Sequence, residues 1–352
     1  MSSRLDQLTQ WVAQQLADLG EDAEVDFSLN HLSGDASFRH YYRARLPHKT
    51  YIVVDAPPAQ EDSRPFVQLA AALRSAGVLT PRVYRSDLHQ GFMLQEDFGD
   101  LLYLQRLQQQ RQNPDRIERL YREAIDALLV LQKNAVALPV PAYNRQLLLQ
   151  EMKLFDDWFC QRLLNLPLSA EAQDLLGETF EFLLQQALSQ PTVLVHRDYH
   201  SRNLMIPDPV VYGELHTPGV IDFQDAVQGP YTYDLVSLLR DVYISWPQEQ
   251  VVALASYYFE CALQQHIVSD LGREDFLRHF DLMGLQRHLK VIGIFARLAI
   301  RDNKPGYLAD IPQTIRYLLG VAENYSEMDH FLGWFKQEIL PLVKQKLAAE
   351  NL

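Results

Sequence analysis

Residues 194–205 read LVHRDYHSRNLM: two histidines, an aspartate, two arginines and an asparagine, set between the apolar pairs Leu194-Val195 and Leu204-Met205. A segment framed like a buried strand carries that much polarity only if its groups are partnered or do chemistry. Nineteen residues beyond Asn203 a second apolar pair, Val220-Ile221, delivers Asp222 within VIDFQDA. The chain must therefore hold short β segments whose ends present oxygen donors, embedded in whatever surrounds them.

A carboxylate and an amide oxygen on two such segments suit a hard cation such as Mg²⁺. Asp198, five residues before Asn203, is then left to accept a proton from an attacking hydroxyl. An H-R-D-x4-N loop followed by an apolar-apolar-Asp-Phe strand is the arrangement of a phosphoryl-transfer site, where metal neutralises charge and the nucleophile must be aligned. Two other readings compete. A solvated turn with a capped helix leaves Asp222 in an apolar strand without a reason. His196, Asp198 and His200 as alternating ligands of a metal hydrolase need further His or carboxylate clusters, and His216 stands alone on a Pro-rich loop.

The flanking periodicities place this island. The N-terminal stretch MSSRLDQLTQWVAQQLADLG predicts an amphipathic helix with Leu5, Leu8, Val12, Leu16 and Leu19 on one stripe and Gly20 as its stop. Residues 25–55 read as strands, with a hairpin-like turn over Ser33–Ser37 and a β-branched strand TYIVVD closed by Pro57-Pro58. A helix is expected over 63–76, with Pro65 in its first turn and Gly77 at its end. Residues 91–99 read as a further strand. Beyond Asp100 the period becomes helical, as in Ile117, Leu120, Tyr121, Ala124, Ile125 and Leu128. The expected organisation is a strand-rich nucleotide-binding part, residues 1–99, and a larger, mainly helical catalytic and substrate-binding part, residues 100–352.

The net charge of −13 disfavours a nucleic-acid or anionic-membrane partner. The cysteines, Cys160 and Cys261, form no CxxC pair, which fits a reducing compartment. The first twenty residues are too polar for a signal peptide and no run of 18 apolar residues occurs. A cytoplasmic monomer is expected.

With these residues the chain resembles the aminoglycoside phosphotransferase family, whose members have the protein-kinase-like fold, phosphorylate small molecules and carry a loop similar to HRDYHSRN. The resemblance covers nearly the whole chain. LSGDASFRHYYRAR is similar to the family's phosphate-covering loop, VVDAPP stands at its third strand, LQEDFGD at its hinge, and GPYTYDLVSLLRD resembles the stretch after the metal aspartate. Within the family, GDASFR, DAPP, RPF and LQRHLKVIGIFARL resemble the bacterial kinases that phosphorylate the anomeric hydroxyl of N-acetylmuramate and N-acetylglucosamine in cell-wall sugar recycling.

The resemblance implies an α+β, bilobal protein-kinase-like fold with a small strand-rich N-lobe and a larger helical C-lobe. It implies ATP and Mg²⁺ as cofactors, an amino sugar as acceptor, Asp198 as base, and Asn203 and Asp222 as metal ligands. Gly34, Asp35, Ala36 and Ser37 would cover the phosphates, Val53 would line the nucleotide site, and the backbone of Glu96, Asp97 and Phe98 would meet adenine. Asp234 would brace the catalytic loop. Arg287, His288 and Lys290 either face solvent on an amphipathic helix or reach the sugar or a lactyl carboxylate. His200, Arg202 and Asp225 are further acceptor candidates, Asp225 being equally suited to cap a turn.

One departure from the pattern is serious. The third kinase strand normally ends in a lysine that grips the α/β-phosphates. Strand alternation puts Val53 and Asp55 on one face, so Asp55 is expected in the lysine's place. Arg39 or Arg43 would then supply the phosphate contact, and Arg64 would pair with Asp55. Two alternatives remain open: another small hydroxyl acceptor (an aminoglycoside, choline or an amino-alcohol), and a non-catalytic nucleotide-binding pseudokinase. No long DFG-to-APE segment is present, which disfavours a protein substrate.

Overall fold

The computed structural model describes residues 3–21, 27–32, 38–134, 138–213 and 215–349. The chain divides into two compact units, Met1–Arg106 with Asn203–Asp225, and Leu107–Arg202 with Ala226–Leu352. The polar island is thus split: its catalytic-loop half belongs to the second unit, and the hairpin from Asn203 to Asp225 to the first.

The first unit is built on an antiparallel sheet of β1 (Ser28–Leu32), β2 (His40–Arg45), β3 (Thr50–Asp55), β4 (Val83–Asp87) and β5 (Phe92–Glu96), in the order β1-β2-β3-β5-β4. Helix α1 (Arg4–Asp18) is started by a reciprocal capping box between Ser3 and Asp6. Its Leu8, Val12 and Leu16 bury against Ala44, Tyr51, Val53, Phe92 and Leu94. Leu19 is partly buried, and Leu5 remains exposed. Helix α2 (Arg64–Ser75) has Pro65 in its first turn and stops before Gly77, which adopts the left-handed conformation at φ 94°.

This arrangement departs from three expectations. Strand alternation does put Tyr51, Val53 and Asp55 on one face of β3, but α1 covers that face. Val53 is a core residue there, not part of a nucleotide site. Asp55 takes two bonds from Arg4 Nε, at 2.9 and 3.0 Å, and does not occupy a lysine's place beside the phosphates. Arg43 pairs across the ladder with Ile52, and Tyr41 with Val54, so these residues share the opposite face. Arg64 pairs with its neighbour Asp62 at the surface, not with Asp55.

The hairpin of the first unit joins Leu204–Met205 to Gly219–Val220, with Leu204 opposite Val220. It is anchored by Val220 N–H on the Leu79 carbonyl at 2.7 Å and by a bridge from Leu102 to Met205.

In the second unit the strand Thr192–Val195 pairs antiparallel with Val227–Pro230. The helices include Pro114–Asn134, Arg145–Leu154, Ala170–Leu188, Gln248–Gln264 and the 29-residue helix Arg273–Arg301. The last of these is the axis of the unit. It packs against Arg145–Leu154, the π-helical turn Phe155–Leu163, Ala170–Leu188 and Ile311–Ala322. Gly293 permits the closest of these approaches: a Cβ there would stand 2.3 Å from the Leu154 carbonyl carbon. Backbone cannot yield as a side chain end can. Gly293→Ala is therefore expected to cost roughly 1–3 kcal/mol of stability, the usual penalty of overpacking, read as a lower urea midpoint. An unchanged midpoint would mean the two helices slide apart freely.

Both cysteines are free. Among the described residues no helix is long and apolar enough to cross a membrane.

Candidate active site

The catalytic loop leaves the strand Thr192–Val195 and turns at once. Arg197 sits in the left-handed region at φ 76°, a conformation that costs a non-glycine residue energy and persists only where its surroundings impose it. Asp234 imposes it. Its carboxylate accepts the His196 N–H at 2.6 Å and the Arg197 N–H at 3.0 Å. Asp234 lies in the first turn of the helix Tyr233–Leu239 and is completely buried; burial raises its pKa to about 6 against the pull of these donors. The far side of the loop is held by Asp241, whose Oδ2 accepts both the Ser201 N–H and the Ser201 hydroxyl. The brace predicted at Asp234 is present; the second one, Asp241, carried no sequence signal beyond a carboxylate in an apolar stretch.

Asp198 lies between these braces. Burial would raise its pKa, but Lys290, His200, Arg287 and Arg197 outweigh that and hold it below the ordinary carboxylate value. Lys290 and Arg287 come from the long helix Arg273–Arg301 and are both buried. Lys290 is fixed by Glu151 at 3.1 Å and by the Tyr233 hydroxyl at 2.8 Å. Glu151 also accepts from Tyr143 and Arg197. Burial is the largest influence on Glu151 and raises its pKa, but Lys290, Arg197 and Tyr143 together lower it more, so the net shift is down. Glu151 and Tyr143 escaped the sequence reading because they sit in ordinary helical and loop contexts far from the island.

The remaining acceptor candidates are placed as follows. His200 is buried, edge-on to Tyr243 at 5.3 Å. Arg202 stacks on the same Tyr243 with its guanidinium carbon 3.6 Å from the ring centroid. His288 is buried against Tyr317 and its pKa is driven well below the ordinary value, chiefly by burial, so it does not face solvent. Asp225, in the first unit, is exposed on a turn. Among the described residues no group of three or more His, Cys, Asp or Glu is placed to hold a metal ion.

In the first unit the hairpin brings Asn203 and Asp222 together. Ile221 N–H donates to the Asn203 carbonyl at 3.1 Å, and Asn203 Nδ2 lies 3.2 Å from Asp222 Oδ2. Asp222 is exposed and left-handed at φ 65°. Phe223, after it, is buried and stacks on Phe66 at 4.8 Å. The Arg39 guanidinium lies over the Phe66 ring, 5.5 Å from its centroid, and 3.1 Å from Glu61. Tyr41 lies in the same patch: burial raises its pKa, Arg39 lowers it, and Asp222 and Glu61 raise it. Arg39, Tyr41, Glu61, Phe66, Phe223 and Asp222 therefore converge.

Arg43, the other candidate cation, is committed. It bonds Asp97 at 2.6 and 3.0 Å, Asp100 at 2.5 Å and the Gly99 carbonyl at 3.0 Å. Glu96 pairs with Arg74, and Phe98 packs where a Cβ on Gly219 would strike its ring. Two carbonyls expected to meet adenine are engaged by the chain itself, Asp97 by the Tyr212 hydroxyl and Phe98 by the Asp208 N–H. Gly34, Asp35, Ala36 and Ser37 lie outside the described residues.

A sheet carrying a paired Asn and Asp, with a mainly helical unit holding an ionised Asp on a braced loop, defines the protein-kinase-like class of phosphotransferase. The choline kinase LicA from Streptococcus pneumoniae has this fold, superposing with a TM-score of 0.58 at 14% identity over 89% of this chain and 99% of that one. The Phosphotransferase enzyme family (APH) matches residues 28–273, and the chain belongs to it. It is 43% identical over 320 residues to the N-acetylmuramate/N-acetylglucosamine kinase of Pseudomonas aeruginosa, covering 90% of this chain and 91% of that protein. The like-named protein of Neisseria meningitidis is 39% identical over 306 residues, 87% of this chain and 89% of the relative.

Proposed function

We propose that this chain transfers the γ-phosphoryl group of ATP to the anomeric hydroxyl of N-acetylmuramate and N-acetylglucosamine, acting as a cytoplasmic monomer. The observation that carries the reading is the 43% and 39% identity, over 90% and 87% of the chain, with proteins named as kinases of these sugars, joined to an Asp198 whose pKa two buried cations help to lower. A carboxylate of lowered pKa is a weak base, suited to orient a hydroxyl and to take its proton late in a loose phosphoryl transfer. An anomeric hydroxyl, more acidic than an ordinary alcohol, suits that base. His200, Arg202, Asp225, Arg287 and Lys290 are the candidates for acceptor contacts, with Lys290 acting through Asp198 and Glu151.

Asn203 and Asp222 would hold Mg²⁺. An exposed carboxylate beside an amide group, whose oxygen would turn to the ion in place of the Nδ2 that now faces Asp222, fits an ion that keeps several waters and takes few protein ligands. The metal would supply neutralisation of phosphate charge. The strand-rich residues 1–99 would bind the nucleotide, with Gly34–Ser37 over the phosphates and the segment Glu96–Phe98 at the base.

Arg39 would replace the third-strand lysine. Its support is convergence: it shares a patch with Asp222, while Glu61 and Phe66 fix its direction. Glu61 would play the part of the glutamate that normally braces the lysine. Arg43 would instead be structural. A charge-assisted hydrogen bond contributes about 1.5–3 kcal/mol, so Arg39→Met should raise the KM for ATP or lower kcat about tenfold or more, whereas Arg43→Met should mainly lower Tm. The reverse pattern would exchange the two roles.

The ionised state of Asp198 sets the acid limb of activity. Its pKa is depressed, so the working form persists above that value and is lost as pH falls through it. Lys290→Met removes the largest of the lowering cations and is expected to move the acid limb of kcat/KM to higher pH. A limb that stays in place would detach Lys290 from Asp198.

The function itself is tested by incubating the protein with ATP, Mg²⁺ and each sugar and reading the product by phosphorus NMR. Phosphorylation at the anomeric oxygen is expected. Transfer to another oxygen, or only to choline or an aminoglycoside, overturns the acceptor reading; nucleotide binding without any transfer supports a pseudokinase.

A further inference from the structure

Among the described residues of the second unit, Arg287 is a buried cation whose N–H groups the fold leaves without an acceptor. Arg287 is 2% exposed, and its Nε and Nη1 have no hydrogen-bond partner. The other buried cations of this unit have a carboxylate: Lys290 pairs with Glu151 and Tyr233, and Arg240, whose Nε and Nη1 are also without a partner, pairs with Asp281. Arg287 has no such carboxylate among the described residues. A desolvated guanidinium with idle N–H groups is costly unless an anionic oxygen comes to it, and its planar fork matches the paired oxygens of a carboxylate or a phosphate.

Its position narrows the choice. Arg287 and Lys290 are three residues apart on one helix and so lie on the same face. Lys290 reaches Glu151 from that face, and the charges of both act on Asp198. The idle donors therefore lie in the neighbourhood of the catalytic carboxylate, where the acceptor must sit. The two proposed acceptors differ by one group: N-acetylmuramate carries a lactyl ether on O3, and that ether bears its only carboxylate. O3 is separated from the anomeric carbon by a single ring carbon beyond its own.

We infer that Arg287 binds the carboxylate of an acidic amino sugar and sets the preference for the lactyl-bearing acceptor over its neutral counterpart. The inference rests on the acceptor reading given above. With the neutral sugar, water takes the place of the carboxylate, so the same site serves both.

The test compares kcat/KM for N-acetylmuramate and N-acetylglucosamine in the wild type, Arg287→Met and Arg287→Lys. The readout is the ratio of the two constants, in which any general loss cancels. That ratio should fall tenfold or more in Arg287→Met and less in Arg287→Lys, which keeps the charge and loses the fork. The methyl ester of N-acetylmuramate, given to the wild type, asks the same question without altering the fold and should lose the same preference. A ratio unchanged in both variants, with ester and acid equivalent, overturns the inference and leaves Arg287 to the transferred phosphoryl group or to the fold. If the wild type phosphorylates neither sugar, the acceptor reading has failed separately. Calorimetric titration with N-acetylmuramate then decides: binding lost in Arg287→Met retains the carboxylate site, and no binding by the wild type removes it.

Discussion

Asp198→Asn is expected to lower kcat by roughly 10²–10⁴, the range that general acid–base help supplies, while the Kd for ATP stays near its wild-type value. The substitution is nearly isosteric. The two bonds that set the loop run from His196 and Arg197 to Asp234, and the third anchor runs from Ser201 to Asp241, so none of them involves the Asp198 side chain. What is lost is the charge on which Lys290, Arg287 and Arg197 converge and the lone pair that takes the proton. Single-turnover phosphoryl transfer beside equilibrium nucleotide binding separates the two quantities. Turnover within a factor of three of wild type would remove Asp198 from the mechanism; a parallel loss of ATP binding would make it a structural residue of the loop.

Asp222→Ala should be at least as severe. Metal neutralisation of a transferring phosphoryl group is worth several kcal/mol, which at about 1.4 kcal/mol per decade corresponds to a loss on the order of 10³ or more. Asn203→Ala should weaken Mg²⁺-dependent transfer less, because an amide oxygen brings no charge to the ion. The distinguishing measurement is the Mg²⁺ dependence of kcat/KM. Asp222→Ala should stay inactive at every concentration, while Asn203→Ala should recover as Mg²⁺ rises. The hairpin that carries the pair is secured by backbone bonds from Ile221 and Val220, so the Asp222 side chain can be removed without dismantling it. Normal activity of both variants at low Mg²⁺ would end the paired-ligand assignment.

Much of this protein is local information. Hydrophobic period alone marks α1, α2 and the helices Pro114–Asn134 and Ala170–Leu188, because a helix face shows itself within a dozen residues. The spacing of Asp198, Asn203 and Asp222 is likewise contained in a short stretch of chain, since a hairpin brings its own ends together. What alternation could not say is which face of β3 is covered. That was decided by α1, whose apolar stripe claims Val53 and whose Arg4 claims Asp55; the strand pattern reads the same whichever side a distant helix packs on. For the same reason Arg39 and Arg43 looked alike in sequence, two residues of one strand face, and only their partners separate them: Glu61 and Phe66 for the first, Asp97 and Asp100 for the second. Glu151, Asp241 and the burial of Arg287 were equally hidden. A side chain's charge is written in the sequence, but whether that charge is answered depends on residues 40 to 140 positions away that only the packed helices bring within reach.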